Sequence, residues 1–362
     1  MIKSPIKVKL SSTVIVLLKW GVDKLPKSIN KKPLKNYDYR VMLVKRSNQI
    51  KFFPSAHVFP GGAVDENDNS KEWEQVIEKP IPSNLSIRIS ALREIFEETN
   101  FFLDKNEKLI NDKNKPIIEK LQSDLMNKET SKTNNFLLNF IKDSGIKLKL
   151  DQLYQWARWI TPILGPKQTH RFDTYFYVIP IYQYPESCKI DGTENVEMDW
   201  LSPEEALEEH RIGKISLPPP TWFTFHQLSK CHTIDQVIEL AKERDSLDIL
   251  YDPIMTKPTI PSNASTNLPQ ERYQVLSGDY IYEQEKQKQQ QQQQSSDSST
   301  NPNSNSNPNP NLNPSHKNRI ITRSRIGDLN DQFSWIYEYQ NNIPGSVDSQ
   351  IDGANTILPP KL

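Results

Sequence analysis

One stretch restricts the architecture more than any other. From Asn84 to Asn100 the chain reads NLSIRISALREIFEETN. Ala91, Leu92, Ile95, Phe96 and Thr99 recur at helical spacing and form one apolar arc. Glu94, Glu97 and Glu98 stand at i, i+3 and i+4 on the adjoining arc. Such a helix needs a sheet to bury one side and a counter-charge to quiet the other. Ser83 or Asn84 can cap its start. Asn100 can end it, because asparagine tolerates the left-handed conformation that closes many helices.

Sheet material lies on both sides. Residues 6–20 and 38–47 are rich in Val, Leu and Ile and read as strands, separated by a Lys/Asn/Pro loop at 24–36. The run Thr13 to Leu18 is β-branched and far too short to span a membrane. Trp73–Ile77 suggests a short helix. Residues 116–143 predict two amphipathic helices, the second stopped by Gly145. Further strands are expected at Gln155–Thr161, Phe172–Ile181 and Val196–Leu201. Ser202-Pro203-Glu204-Glu205 is a strong helix start, with a serine cap, proline in the first turn and a capping glutamate. Two more helices fit 219–243. Strands interleaved with helices indicate a layered α/β or α+β domain over 6–255, with a helical insertion at about 105–150.

The remainder has a different composition. Gln289–Gln294 is unbroken glutamine, and 295–315 is nearly all Ser, Asn, Pro and Asp. It also helps explain a hydrophobic fraction of only 35%. Residues 285–318 lack the apolar area needed to offset ordering entropy and are expected to be disordered. Strand-like pieces flank them at Arg272–Tyr282 and Arg319–Arg325. Either the 256–284 extension packs back on the domain and leaves a long loop, or 319–362 is a tail beyond a linker.

Positive and negative side chains balance at 45 each, which argues against a nucleic-acid partner held by bulk charge. Cys188 and Cys231 cannot build a disulfide framework, and Met1–Pro5 do not begin a signal peptide, so a reducing compartment is expected.

The chemistry concentrates at Glu94, Glu97 and Glu98. A bare glutamate-rich helix is ordinarily a solvated surface. What precedes this one changes the weighting. Phe59-Pro60-Gly61-Gly62 is a tight loop whose glycines let backbone approach a phosphate. Three crowded carboxylates invite a divalent cation, and hard oxygen ligands suit Mg²⁺ or Mn²⁺. Arg93 can hold Glu97 from four residues away.

Arg93-Glu94-Ile95-Phe96-Glu97-Glu98-Thr99-Asn100-Phe101 resembles the second half of the signature of the Nudix hydrolase superfamily, with Asn100 in place of the glycine. Gly62 lies 31 positions before Arg93, about twice the usual spacing, so an insertion at about 65–83 splits the box. Counted back from Arg93, the early box glutamate would fall at Leu85, with Glu66 or Glu72 as replacements. The resemblance implies a Nudix α/β/α sandwich with a mixed sheet. It also implies Glu94, Glu97 and Glu98 as ligands of Mg²⁺ or Mn²⁺, with Glu194 or Glu197 as a further acidic residue and Arg93 in the catalytic set.

Upstream, Arg46, Ser47, Lys51, Ser55 and Phe59 to Gly62 keep the spacing of the motif carried by coenzyme A-hydrolysing Nudix proteins. Lys51 stands where that motif has arginine, and Ser55 where it has glycine. The segments Ser55 to Gly62, Trp159 to Pro162 and Arg171 to Phe176 resemble the peroxisomal acyl-coenzyme A diphosphatase branch. That likeness implies coenzyme A or acyl-coenzyme A as the small-molecule substrate. Arg46, Lys51, Gly61, Gly62 and Arg171 would then bind it. His57 reads as a packed loop histidine rather than a base. The closing residues Pro360-Lys361-Leu362 are similar to a peroxisomal import tripeptide read by a receptor. Peroxisome is therefore the expected location, with cytosol or mitochondrion as alternatives. Two rivals stay open: hydrolysis of another nucleoside diphosphate derivative, and a catalytically inactive Nudix module that only binds.

Overall fold

The β-branched run of residues 13–18 is buried in the middle of a mixed sheet. The protein, here a computed structural model, is described over residues 6–21, 33–50, 52–102, 115–127, 135–165, 168–185, 188–190, 192–256, 271–277, 279, 281–288, 313, 317–324 and 335–341. Lys51, most of the 24–36 loop, the glutamine run and Pro360–Leu362 lie outside those residues.

β1 (Val8–Lys19) pairs antiparallel with β2 (Tyr39–Arg46) through Leu17–Lys19. β3 (His57–Val58) extends β2 outward, and β4 (Gly61–Ala63) returns to pair with Ser11–Thr13 of β1. Next come α1 (Trp73–Val76), α2 (Leu85–Thr99), α3 (Lys115–Met126) and α4 (Phe136–Ser144). β5 (Tyr154–Ile160), β6 (Arg171–Ile181) and β7 (Asn195–Leu201) complete most of the sheet. α5 (Pro203–Arg211), α6 (Pro219–Leu228), α7 (Ile234–Leu247) and the short β8 (Leu250–Tyr251) follow. The strand order is β3-β2-β1-β6-β5-β8, with β4 also on β1 and β7 also on β2. β1 runs parallel to β6 and β5 to β8, while the other pairs are antiparallel.

Alternation along β1 sorts its side chains between two cores. Val14, Val16 and Leu18 face Ile95 and Phe96 of α2, with Ile118 of α3 and Leu138 of α4 behind them. Ile15 and Leu17 face Phe223 and Phe225 of α6 and Val237 of α7. Both faces are covered, which is why residues 14–18 form a continuous apolar run rather than an alternating one. The result is three layers, α/β/α, as the resemblance implied. The expected burial arc of α2 is seen: Ala91, Leu92, Ile95, Phe96 and Thr99 are all buried. Asn100 adopts the left-handed conformation, φ 53°, and Gly145 closes α4 the same way. Ser202 and Glu205 form the expected capping box. The start of α2 differs, since Asn84 is itself left-handed and its side chain caps nothing.

A second sheet follows the domain: β9 (Ile254–Thr256), β10 (Glu271–Val275), β11 (Asn318–Ser324) and β12 (Trp335–Asn341), ordered β12-β11-β10-β9 and antiparallel throughout. It packs on α5 and α6. Tyr337 stacks on His210 at 5.1 Å between ring centroids, and Tyr339 meets Phe223 edge-on at 4.7 Å. Asp279 is fully buried and takes Arg319 in a two-pronged pair at 2.7 and 2.9 Å. The expected strand to Tyr282 is corrected here. It ends at Val275, and Tyr282 lies in a helical stretch. Asp279 causes the change, because its carboxylate accepts the Ile281 N–H and its carbonyl accepts that of Glu283. Among the described residues, no helix is long and apolar enough to cross a membrane.

Candidate active site

The Gly61–Gly62 loop is sewn onto β1. Val14 N–H donates to Pro60 O at 2.9 Å, and Thr13 Oγ1 donates to the carbonyls of Phe59 and Pro60. There is no room for side chains. A Cβ on Gly61 would lie 2.2 Å from Ser12 O, and one on Gly62 would lie 2.3 Å from the Glu94 carboxylate carbon. Two missing methyl groups therefore bring backbone and carboxylate together. Gly61 N–H donates to Glu98 Oε2 at 2.9 Å. Ser12 Oγ donates to Ser90 Oγ, holding α2 to the strand beneath.

Arg93 uses its whole fork. Nη1 donates to Glu94 Oε1 at 2.9 Å and to Glu97 Oε1 at 3.2 Å. Nη2 donates to Ala63 O, and Nε and Nη2 grip Asp68 at 3.0 and 2.9 Å. Asp68 was not among the sequence candidates. Its buried carboxylate also accepts the Asp65 N–H, at the end of a short 3-10 turn. It supplies an acidic partner near the glycine end of the inserted stretch. Counting back from Arg93 stops at Leu85, short of the inserted residues; counting forward from Gly62 reaches Asp68. Of the suggested replacements, Glu72 is turned outward to Lys142, and Glu66 lies just before the turn as its N-terminal flank. The inserted helices are tied in through one carbonyl, since Asn67 O accepts both the Trp73 indole N–H and the Asn135 amide.

The carboxylates are strained electrostatically. Burial pushes Glu97 up to about 8 against the pull of Arg93, and the charge of Glu94 adds to the push. Burial and the charge of Glu94 raise Glu98 to about 8, despite hydrogen bonds from Asn195 and Gly61. Glu94 is also raised, first by burial and further by Asp68 and Glu194. Three carboxyls that resist ionisation despite Arg93 and Arg46 form a site short of positive charge. A divalent cation would correct that, and the all-oxygen donor set suits a hard one.

These residues line a cavity of about 840 Å³. Glu194 lines it too, brought there by a bulge. Register between β2 and β7 shifts at Lys45/Arg46, so Arg46 faces Asn195 while Lys45 faces Glu197. Glu197 is therefore directed elsewhere and pairs with Lys45. Arg46 lines the cavity, and its side chain takes no hydrogen bond or ion pair from the described residues; its Nε is buried without a partner. Arg171 is not among the residues lining the cavity. Alternation turns Phe172, Thr174 and Phe176 of β6 into the cavity, whereas Arg171 Nε donates to Thr161 O. Asp173 likewise holds Arg158 at 2.6 Å. The same cavity is also lined by the apolar side chains of Phe52, Phe53, Trp159, Leu164 and Pro253, and by Gln274 of β10.

Comparison with known proteins agrees with this geometry. The family model for the NUDT19 Nudix domain matches residues 9–80 and 74–228. The acyl-coenzyme A diphosphatase NUDT19 of Xenopus laevis is 28% identical over 232 residues, covering 54% of this chain and 60% of that protein. Nudix hydrolase 7 of Caenorhabditis elegans is 32% identical over 245 residues, 67% of this chain and 70% of its own length. A Nudix hydrolase crystal structure from Alicyclobacillus acidocaldarius aligns over 65% of this chain and 97% of its own, at 21% identity and a TM-score of 0.49. The family match spans both halves of the split box and the loop that feeds it, and the chain belongs to the Nudix hydrolase superfamily, resembling its NUDT19 branch.

Proposed function

We propose that this protein hydrolyses the diphosphate of coenzyme A or of an acyl-coenzyme A. The observation that carries the reading is the lining of one cavity. It combines the box carboxylates and the Arg46 guanidinium, which makes no hydrogen bond or ion pair with the described residues, with apolar side chains such as Phe52, Trp159 and Leu164. A substrate carrying a diphosphate beside a long, weakly polar arm fits that combination. The NUDT19 relatives are named for this substrate class. Glu94, Glu97 and Glu98 would hold Mg²⁺ or Mn²⁺, which supplies charge neutralisation at the diphosphate when bound.

The chain's own groups do the rest. Arg46 meets a phosphate oxygen, and its planar fork sets the orientation of the diphosphate. Gly61 and Gly62 allow close backbone approach. Arg93, fixed by Asp68, keeps Glu94 and Glu97 from drifting apart. Water attacks one phosphorus, the bridging P–O bond breaks, and the leaving phosphate keeps the bond's electron pair. Glu194, which lines the cavity, accepts the proton that water loses. The products are 3′,5′-ADP and the (acyl-)4′-phosphopantetheine. Import into peroxisomes through Pro360-Lys361-Leu362 belongs to the same proposal. A fluorescent fusion lacking these three residues should then stay in the cytosol.

The test is a substrate panel with Mg²⁺ or Mn²⁺: coenzyme A, acyl-coenzyme A, ADP-ribose, NADH and nucleoside triphosphates. Coenzyme A species should turn over fastest. Arg46→Gln should raise KM about tenfold with a smaller effect on kcat, as expected for one lost charge-assisted contact. Faster turnover of any other compound would remove the substrate assignment and leave the chemistry standing. No turnover of any compound would favour the inactive binding module.

A further inference from the structure

One cluster of ligating side chains is unused by this chemistry. His57 of β3 and Glu197 and Asp199 of β7 each offer an atom within 4.8 Å of the others. None of the three lines the cavity. Met198 and Trp200 pack with the α2 side of the core, so alternation sends Glu197 and Asp199 to the opposite face. β2 runs between the two strands, and its Lys45 pairs with His57 on one side and Glu197 on the other.

The histidine is the telling residue. It is 4% exposed, and its Nδ1 is buried without a partner among the described residues. Nε2 stands 3.6 Å from Asp199 Oδ2, beyond hydrogen-bond reach. Burial and the Lys45 charge lower this imidazole to about 4, so the ring is neutral and keeps a lone pair for a ligand. A buried imidazole whose Nδ1 finds no partner among the described residues is costly, and its Nε2 faces the Asp199 carboxylate without a hydrogen bond to it. The carboxylates are crowded too. Burial and the charges of Glu197 and Glu209 raise Asp199. Two lysines answer them: Lys45 reaches Glu197 at 2.9 Å, and Lys214 reaches Glu209 at 2.5 Å.

We propose that His57, Glu197 and Asp199 form a second divalent-cation site, suited to Zn²⁺ and separate from the box carboxylates. One imidazole and two carboxylates give three protein ligands and leave a position for water. The nitrogen donor makes the set softer than the all-oxygen box, which favours Zn²⁺ over Mg²⁺. Lys45 is the resident competitor. Its ammonium occupies the Glu197 carboxylate, but it rides on a flexible stem and is 30% exposed, so it can swing out. A cation here would clip β3 to β7 across β2, just before the Phe59 to Gly62 loop.

The experiment titrates ZnCl₂ into the full-length protein in millimolar Mg²⁺, followed by calorimetry. One Zn²⁺ per chain should bind, and it should survive the double substitution Glu97→Gln/Glu98→Gln. Glu197 and Asp199 are partly exposed, so Glu197→Gln and Asp199→Asn should fold normally by circular dichroism. Each should weaken Zn²⁺ binding at least about tenfold. Lys45→Met should tighten it several-fold, an effect that a purely structural role for these residues does not give. Unchanged Zn²⁺ affinity in both Glu197→Gln and Asp199→Asn would overturn the site. So would loss of all Zn²⁺ binding in the Glu97→Gln/Glu98→Gln protein.

Discussion

Gly61 and Gly62 are neighbours, yet each excludes a methyl group for its own reason. Gly61 faces backbone, because its Cβ would strike Ser12 O, which cannot move without breaking the β1–β4 pairing. Gly61→Ala should therefore cost about 1–3 kcal/mol of stability, read from denaturant midpoints. Gly62 faces a side chain, the Glu94 carboxylate. Gly62→Ala should leave the midpoint nearly unchanged and reduce turnover at least about tenfold by displacing that carboxylate. Equal stability losses in the two variants would contradict this division. The box glutamates add a pH effect. Glu97 and Glu98 sit near 8 in the fold, against an ordinary 4.5. The folded state therefore binds their protons more tightly than the unfolded chain does. Their contribution is most favourable below about pH 4.5 and is lost as pH rises through about 8. Without divalent cations, the melting temperature should fall across that window. Glu97→Gln and Glu98→Gln should flatten the fall while each lowers activity at least about a hundredfold. A melting profile as steep in the variants as in the parent would show that the slope originates elsewhere.

At the scale of elements, α2 was legible because everything that defines it is local. Its apolar arc, its acidic arc and its terminal asparagine lie within seventeen positions, and the helical period connects them. The turn that holds Asp68 was not legible. Asp68 and Arg93 are 25 positions apart, and the residues between carry no regular period that fixes a register. The element is best judged by what it does for Arg93. Asp68→Ala would leave the guanidinium with Glu94 and Glu97 as its carboxylate partners, free to pull them out of place. A drop in kcat of about tenfold with little change in KM is the expected result, measured by steady-state kinetics. An unchanged kcat would mean that α2 alone positions Arg93. The β7 bulge teaches a similar lesson. Glu194 and Glu197 looked equivalent in the sequence, and a single register shift sends one to the cavity and the other to Lys45.

Across the whole molecule, composition separated a layered domain from a polar remainder but did not say where the late strands dock. Pairing β10 with β11 spans more than forty positions, beyond the range of any local pattern. β12 did leave a trace, since Trp335, Tyr337 and Tyr339 alternate as a half-buried strand should. The docked sheet is held by Asp279 and Arg319, and its Gln274 lines the cavity. Asp279→Ala strands a buried guanidinium and should cost about 3–5 kcal/mol. Full stability by calorimetry in that variant would show that the pair is incidental. β11 is tied to β10 by backbone hydrogen bonds and to Asp279 through Arg319, and β12 packs on α5 and α6 through Tyr337 and Tyr339. The polypeptide could then be made as two pieces, divided within 289–312, that find each other and restore turnover on mixing. Enzymatic activity would become a reporter of reassembly.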